Sequence, residues 1–499
     1  MAIEIEDKFD VPPEFETPEF TGVPGCAEAV DLVSHRLTAL YFDTPDLRLA
    51  ARGITLRRRR GGEDAGWHLK LPKAKGVRDE IARPLTRSAK IVPPELADLV
   101  QAYTRGEPLV PVAELETLRK VTSLRDAGGR PLLEVADDHV KGTVFGAVFG
   151  EDRHVDRWRE VEAELVGGDA DVLKRVGKIL RRAGATPAGS ANKLARLLGP
   201  RLPVTALPEA DDGTAGRVVV GYLKSQVAAL VAQDPQVRRA GPDAVHQMRV
   251  ASRRLRSALK SFSGVVAETS GLQDELRWIA NVLGEARDLE VIRERFAGHL
   301  DTLDPGLVVG RIRTRLGDDL AGREREALAR VTEVMSGERY FALLDRLDTL
   351  VANPPLTPLA IKDAGRTLSK VAAKSWKRVV GKYDRAQAIE DAEQREIAMH
   401  DVRKAAKRAR YTADALTPLL GDPASVLAKR AKAVQEVLGL YQDGIVAQQI
   451  LLEEAQRARE AGEDTFTYGL LLGIERADAE RSHSEFPAVW AGVTGPGKS

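Results

Sequence analysis

At 499 residues, with 43% hydrophobic and 30% charged side chains, the chain is long enough for two to four domains and apolar enough to fold them. Its 75 basic and 74 acidic residues leave a net charge of +1, so the overall balance selects no partner and the distribution of charge along the chain carries the information. A single cysteine, Cys26, excludes an intramolecular disulfide framework and a thiolate zinc site, and no apolar run approaches the roughly 20 residues of a membrane helix. No basic region followed by an apolar core opens the sequence, so no signal peptide is expected, and a reducing, cytoplasmic setting is.

The chain opens M-A-I-E-I-E-D-K-F, whose alternation predicts a strand with Glu4, Glu6 and Lys8 on one face. A helical stretch is expected near 24–35. Short strand-like runs follow at 37–44, 53–60, 67–71, 121–125, 131–136 and 158–165, with hairpin turns at G-G-E-D-A-G (61–66) and D-A-G-G-R (126–130). A second helix is expected near 169–184. So many antiparallel strands in about 200 residues predict a closed barrel or a sandwich.

The segment 201–213, rich in proline, glycine and acid, reads as a linker. Beyond it, apolar residues recur at helical spacing, and 214–490 is expected to be all-α. This half repeats itself: H-Q-M-R-V-A-S-R-R-L-R begins at His246 and H-D-V-R-K-A-A-K-R-A-R at His400. L-G-E-A-R-D (283–288) is echoed by L-G-L-Y-Q-D (438–443) at nearly the same offset. Two homologous helical bundles, about 214–350 and 360–485, are the expectation. The stretch G-V-T-G-P-G-K-S (492–499) matches the P-loop expression, but a P-loop needs a helix after its serine; 491–499 is expected to be a disordered tail.

The first half places Glu4, Glu6 and Lys8, then Arg57 and Arg59, Lys70, Arg78 and Glu80, Glu134 and Asp138, and Glu160, Glu162 and Glu164 on strand faces that a barrel would turn inward. On any one strand such alternation is most simply a solvated face. Gathered in one interior they would cost several kcal/mol each unless compensated. A divalent cation on the carboxylates, facing a polyanion held by lysine and arginine, supplies that compensation.

E-I-E-D-K resembles the E-x-E-x-K signature of the CYTH, or triphosphate tunnel metalloenzyme, superfamily. Y-F-D-T-P-D-L-R-L-A-A-R-G-I-T-L-R-R-R, W-H-L-K-L-P and E-V-E-A-E-L are similar to that family in its order, over about residues 1–200. The resemblance implies an eight-stranded antiparallel tunnel that hydrolyses triphosphate-containing substrates with Mg²⁺ or Mn²⁺. It implies Glu4, Glu6, Glu160, Glu162 and Glu164 as metal ligands, with Glu4, Glu6, Lys8, Glu160 and Glu162 at the chemistry. It implies Lys8, Arg57, Arg59, Lys70, Arg78, Arg119 and Lys193 as phosphate grips. Two alternatives stay open: a protein that captures polyphosphate ends without turnover, and an ATP-cyclising enzyme.

In the second half, His246, Arg249, Arg253 and Arg256, extended by Lys260, share one helical stripe, and His400, Arg403, Lys407 and Arg410 form its twin. Arg254 and Arg408 also repeat, and Lys374 and Lys377 add a basic face. Arginine forks suit phosphate, and no histidine pairing suits a metal. H-x-x-R-x-x-x-R-R-x-R and L-G-x-x-R-D resemble the CHAD domain over roughly 214–490, with Gln442 standing where Arg287 does in the first copy. The resemblance implies an inorganic polyphosphate binder using these residues and Arg287, and with it association with polyphosphate granules. Few aromatics accompany the stripes, which disfavours nucleic acid.

Overall fold

The computed structural model describes residues 2–74, 77–146, 153–202 and 213–494; side chains before Ile5 and those of Ala74 and Pro200 are not described. The chain divides into two compact units, Met1–Glu209 and Ala210–Ser499.

Ten strands among the described residues build the first unit: β1 (Ala2–Asp10), β2 (Glu28–Asp31), β3 (His35–Asp43), β4 (Thr55–Arg60), β5 (Gly66–Ala74), β6 (Val77–Arg83), β7 (Val110–Arg125), β8 (Pro131–Val144), β9 (His154–Leu165) and β10 (Thr186–Pro187). The short helices α1 (Pro94–Ala97) and α2 (Gln101–Thr104) precede β7, and α3 (Ala170–Arg182) and α4 (Lys193–Leu198) follow β9. Eight strands close a ring in the order β1-β6-β5-β4-β3-β7-β8-β9, with β1 pairing back onto β9. Every pairing is antiparallel, as expected from the many short strands joined by hairpins.

The register explains why the interior is charged. Directly opposed residues share a face, and the ladder sets Lys8 opposite Glu162, Glu6 opposite Glu164, Lys70 opposite Glu80, Arg119 opposite Asp138 and Asp138 opposite Glu160. The apolar residues of the same strands point the other way. Phe9, Leu133, Val135 and Val161 pack outside the wall against Val172, Val176 and Leu180 of α3. A second cluster sits at one end of the tunnel, where Leu194, Leu197 and Leu198 of α4 pack on Ala39, Tyr41 and Leu115. Gly142 makes that seat possible, since a Cβ there would meet Leu197 at 2.7 Å.

One local expectation is corrected. Residues 24–35 hold no helix; they hold β2. The reason is tertiary. β3 leaves β7 at Arg119, and β2 continues the ladder along Thr122–Arg125, satisfying backbone groups that would be a bare edge. The helix expected near 169–184 is α3, capped by the Asp169 carboxylate, which accepts from the Asp171 and Val172 amides.

The second unit is helical: α5 (Ala215–Arg238), α6 (Ala244–Ser261), α7 (Ser270–Thr302), α8 (Leu320–Val334), α9 (Glu338–Ala352), α10 (Ala364–Gln387), α11 (Ala392–Leu420), α12 (Asp422–Glu460) and α13 (Phe466–Thr494). The twin histidine motifs lie on α6 and α11, and the L-G motifs on α7 and α12. α6 packs on α11 and α5 on α10. Ile292 and Phe296 of α7 share one core cluster with Ala447 and Leu451 of α12, so the two halves of this unit are packed together. Helix α13 runs to Thr494, so residues 491–494 of the expected tail are helical; 495–499 lie outside the described residues. No described helix is long and apolar enough to cross a membrane.

Candidate functional sites

Strand parity and ring closure bring the first unit's charges around one cavity of about 110 Å³. Glu6, Lys8, Arg57, Arg59, Lys70, Arg78, Arg119, Glu162, Glu164 and Lys193 all line it. Glu4 lies in β1 opposite Arg78 in the ladder, but its side chain is outside the described ones.

The acidic wall centres on Asp138, Glu160 and Glu162, all buried, each offering an oxygen within 4.8 Å of the others. Lys193, in the first turn of α4, reaches all three: its Nζ donates to Glu162 Oε1 at 2.7 Å and lies 2.8 Å from Glu160 Oε1 and 2.9 Å from Asp138 Oδ2. Arg119 donates from Nε and Nη2 to Asp138 at 2.8 and 2.6 Å, and from Nη2 to Glu162 Oε2 at 2.6 Å. Lys8 pairs with Glu162 and lies 2.8 Å from Glu6, which also accepts from Arg78 at 3.0 Å. Burial by itself raises the Glu162 carboxyl pKa, but Lys193, Lys8 and Arg119 outweigh it and hold the group well below the ordinary carboxylate range. Asp138 is lowered in the same way, against its burial, by Lys193 and Arg119. Lys193 is raised because Asp138, Glu162 and Glu160 overcome its own desolvation.

The opposite wall is cationic. Burial first, then Arg57 and Arg119, push Arg59 down to about 9. The Nε atoms of Arg57 and Arg59 are buried with no hydrogen-bond partner. Such donors call for an anion.

The acidic wall offers the donor set of a hard divalent cation, with Lys193 Nζ seated among its three carboxylates. Its donors are all carboxylate oxygens. Glu160 Oε1 is buried, with Lys193 Nζ 2.8 Å away as its ion-pair partner. Glu6 and Glu164 line the same cavity without joining the three-carboxylate cluster.

In the helical unit, His246, Arg249, Arg253, Arg287 and Arg403 line one cavity of about 680 Å³. Lys260 and Arg408 line another of about 630 Å³, and His400 a third of about 320 Å³. Arg254 and Arg410 lie against the Tyr411 ring, and Lys374 and Lys377 are exposed. The twin L-G motifs have a shared geometry. Arg249 donates to Asp288 at 2.7 Å and crosses Gly284, where a Cβ would stand 3.3 Å from its Nη2. Arg403 lies 3.6 Å from Asp443 and crosses Gly439, where the same distance is 3.4 Å. Lys407 is pushed down to about 7 by burial and by Arg253, Arg403, Arg249 and Arg410. Burial also lowers both His246 and His400.

The CYTH domain family matches residues 2–198 and the CHAD domain family residues 221–452. A Mycobacterium tuberculosis protein, MT2285, is 40% identical over 513 residues, covering 98% of this chain and 95% of the relative. The chain belongs to the CYTH–CHAD family. Among solved structures, PptA from Streptomyces chartreusis is 21% identical with a TM-score of 0.46, over 56% of this chain and 99% of PptA. The CHAD domain from Ricinus communis is 26% identical with a TM-score of 0.47, over 59% of this chain and 96% of that domain.

A CYTH domain belongs to a metal-dependent family of triphosphatase and cyclase-type enzymes, and the CHAD and CYTH domains together imply polyphosphate or triphosphate ligands. In the CYTH domain, sequence reasoning left the role of Asp138 open, although it is the most buried carboxylate of the cluster. Its signal was register: the D-A-G-G-R turn aligns it with Arg119 and so with the tunnel. Tyr41, Asp64 and Asn192 also line the cavity and were not singled out.

Proposed function

We propose that the CYTH domain hydrolyses triphosphate-containing substrates with Mg²⁺ or Mn²⁺, and that the CHAD domain binds inorganic polyphosphate. One observation carries this reading. Glu162, a member of the three-carboxylate cluster, lines one cavity with Arg57 and Arg59, whose buried Nε donors are unpaired.

Arg57, Arg59, Lys70 and Arg78 grip phosphate oxygens, and their fixed strand positions orient the chain of phosphates along the tunnel. Asp138, Glu160 and Glu162 hold the divalent ion, supported by Glu6, Glu164 and, from its place on β1, Glu4. When bound, the ion neutralises phosphate charge and lowers the pKa of attacking water. Lys8, Lys193 and Arg119 keep the carboxylates ionised, the state in which they would hold a cation. The same cations stabilise negative charge on the departing phosphate. No serine, cysteine or histidine nucleophile is needed.

In the CHAD domain, Arg249, Arg253, Arg403 and Lys407 form the centre of the polyanion surface. Burial and the neighbouring arginines push Lys407 down, and a bound phosphate chain relieves the repulsion among these cations.

A phosphate-release assay with tripolyphosphate, ATP and thiamine triphosphate, with and without Mg²⁺ or Mn²⁺, tests the proposal. Metal-dependent release from tripolyphosphate is expected. Cyclic AMP with pyrophosphate from ATP, or binding without release, overturns the hydrolase reading.

A further inference from the structure

We propose that Asp64 is a displaceable gate on the tunnel: its carboxylate holds Arg59 until a substrate phosphate takes its place, so this residue sets phosphate affinity. The inference rests on the reading of the tunnel as a phosphate site.

Asp64 lies in the turn between β4 and β5, and its side chain reaches into the cavity to pair with Arg59. Arg59 is a cation under repulsion from Arg57 and Arg119. Asp64 is its ion-pair partner among the described residues. Among the other tunnel carboxylates, Glu6, Asp138, Glu160 and Glu162 are buried and held by several cations each or by fixed donors, and Glu80 and Glu164 are half-buried. Asp64 differs. Its side chain is 57% exposed, so it can leave Arg59 and be solvated at little cost.

The backbone of the turn, by contrast, is anchored. His68 Nε2 lies 2.9 Å from the Asp64 carbonyl oxygen, and His68 Nδ1 lies 2.7 Å from Glu80 Oε1. Glu80 in turn lies 3.7 Å from Lys70, another cation of the same cavity. Gly61 takes φ 80° where a Cβ would meet the Arg36 carbonyl oxygen at 2.0 Å, which pins the turn against β3. The result is an anchored peptide carrying one exposed carboxylate over the phosphate grip. A phosphate, with more charge and more acceptors than a carboxylate, wins the competition for Arg59.

The test is titration of the full chain with inorganic tripolyphosphate in metal-free buffer. Wild type, Asp64→Asn, Asp64→Ala, Arg59→Ala and the Asp64→Ala/Arg59→Ala double variant are compared, with a melting curve for each. Removal of an exposed ion pair of this kind should tighten binding by about two- to fivefold. The gain should vanish in the Arg59→Ala background, a coupling that a merely structural role for the turn does not produce. Unchanged or weaker binding by folded Asp64→Asn and Asp64→Ala overturns the gate, as does an equal gain with and without Arg59. An Arg59-dependent gain in a chain that releases no phosphate keeps the gate and removes the hydrolase.

Discussion

Lys193, at the start of a six-residue helix, donates to Glu162 of β9 at 2.7 Å across the tunnel. The contact ties the end cap of the barrel to its acidic wall. Three cations, Lys193, Lys8 and Arg119, converge on this one carboxylate.

Replacing Glu162 by alanine should therefore abolish turnover. It removes a proposed metal ligand and leaves those cations uncompensated, which also costs stability. Polyphosphate retention by the CHAD domain should be unaffected. Phosphate release and retention of the chain on immobilised polyphosphate check the two halves; a fully active Glu162→Ala chain refutes the site assignment.

Acid should unfold the CYTH domain in part through Glu80. Burial raises this carboxyl, but His68, Lys70 and Arg57 outweigh it and lower it from 4.5 to about 2. A depressed carboxyl contributes stability that is present in full above its unfolded pKa and is lost as pH falls through the folded one. The loss should run between pH 4.5 and about 2. Melting curves of wild type and Glu80→Gln should converge as pH falls through that window; curves that stay parallel contradict the assignment.

Polyphosphate binding should take up a proton near neutral pH. Lys407, pushed down to about 7 in the free chain, is half-charged there, and a bound polyanion restores its charge. Affinity should be flat well below pH 7 and weaken as pH rises above it. Calorimetry in two buffers of different ionisation enthalpy measures the uptake. Lys407→Arg, charged throughout, should flatten the pH dependence; a wild type without proton uptake speaks against it.

Gly284 and Gly439 should tolerate alanine for folding but not for binding. The new Cβ would stand 3.3 to 3.4 Å from the guanidinium of Arg249 or Arg403, the far end of a flexible side chain. The arginine shifts by a few tenths of an ångström and loses its aim. Binding in the Gly284→Ala/Gly439→Ala chain should weaken by roughly the effect of one charge-assisted hydrogen bond, about tenfold to a hundredfold. Replacing Arg249, Arg253, Arg403 and Lys407 together should weaken it steeply and with strong salt dependence. Undiminished retention by either chain contradicts the corresponding expectation.

Much of this molecule is legible in local pattern. Strand parity put Glu6 with Lys8, Arg57 with Arg59, and Glu162 with Glu164 on common faces, because a side chain's face in a strand depends only on its neighbours. Helical spacing did the same for Arg249 with Arg253 and for Arg403 with Lys407, while the packing of the helices brought Arg403 to the cavity of the first pair. The duplicated histidine and L-G motifs marked the paired helices α6 with α11 and α7 with α12.

What local pattern did not contain was closure. Asp138 joins Glu160 and Glu162 because β8 pairs with β9, and Lys193 reaches them from a helix with no alternation to announce it. The segment 28–31 is a strand because β7 had an open edge, and Asp64 reaches Arg59 because a hairpin turn folds over the tunnel mouth. These depend on contacts between residues far apart in the chain, or on where a turn lands once the ring has formed. Periodicity assigns a side chain to a face; only long-range pairing decides what that face meets.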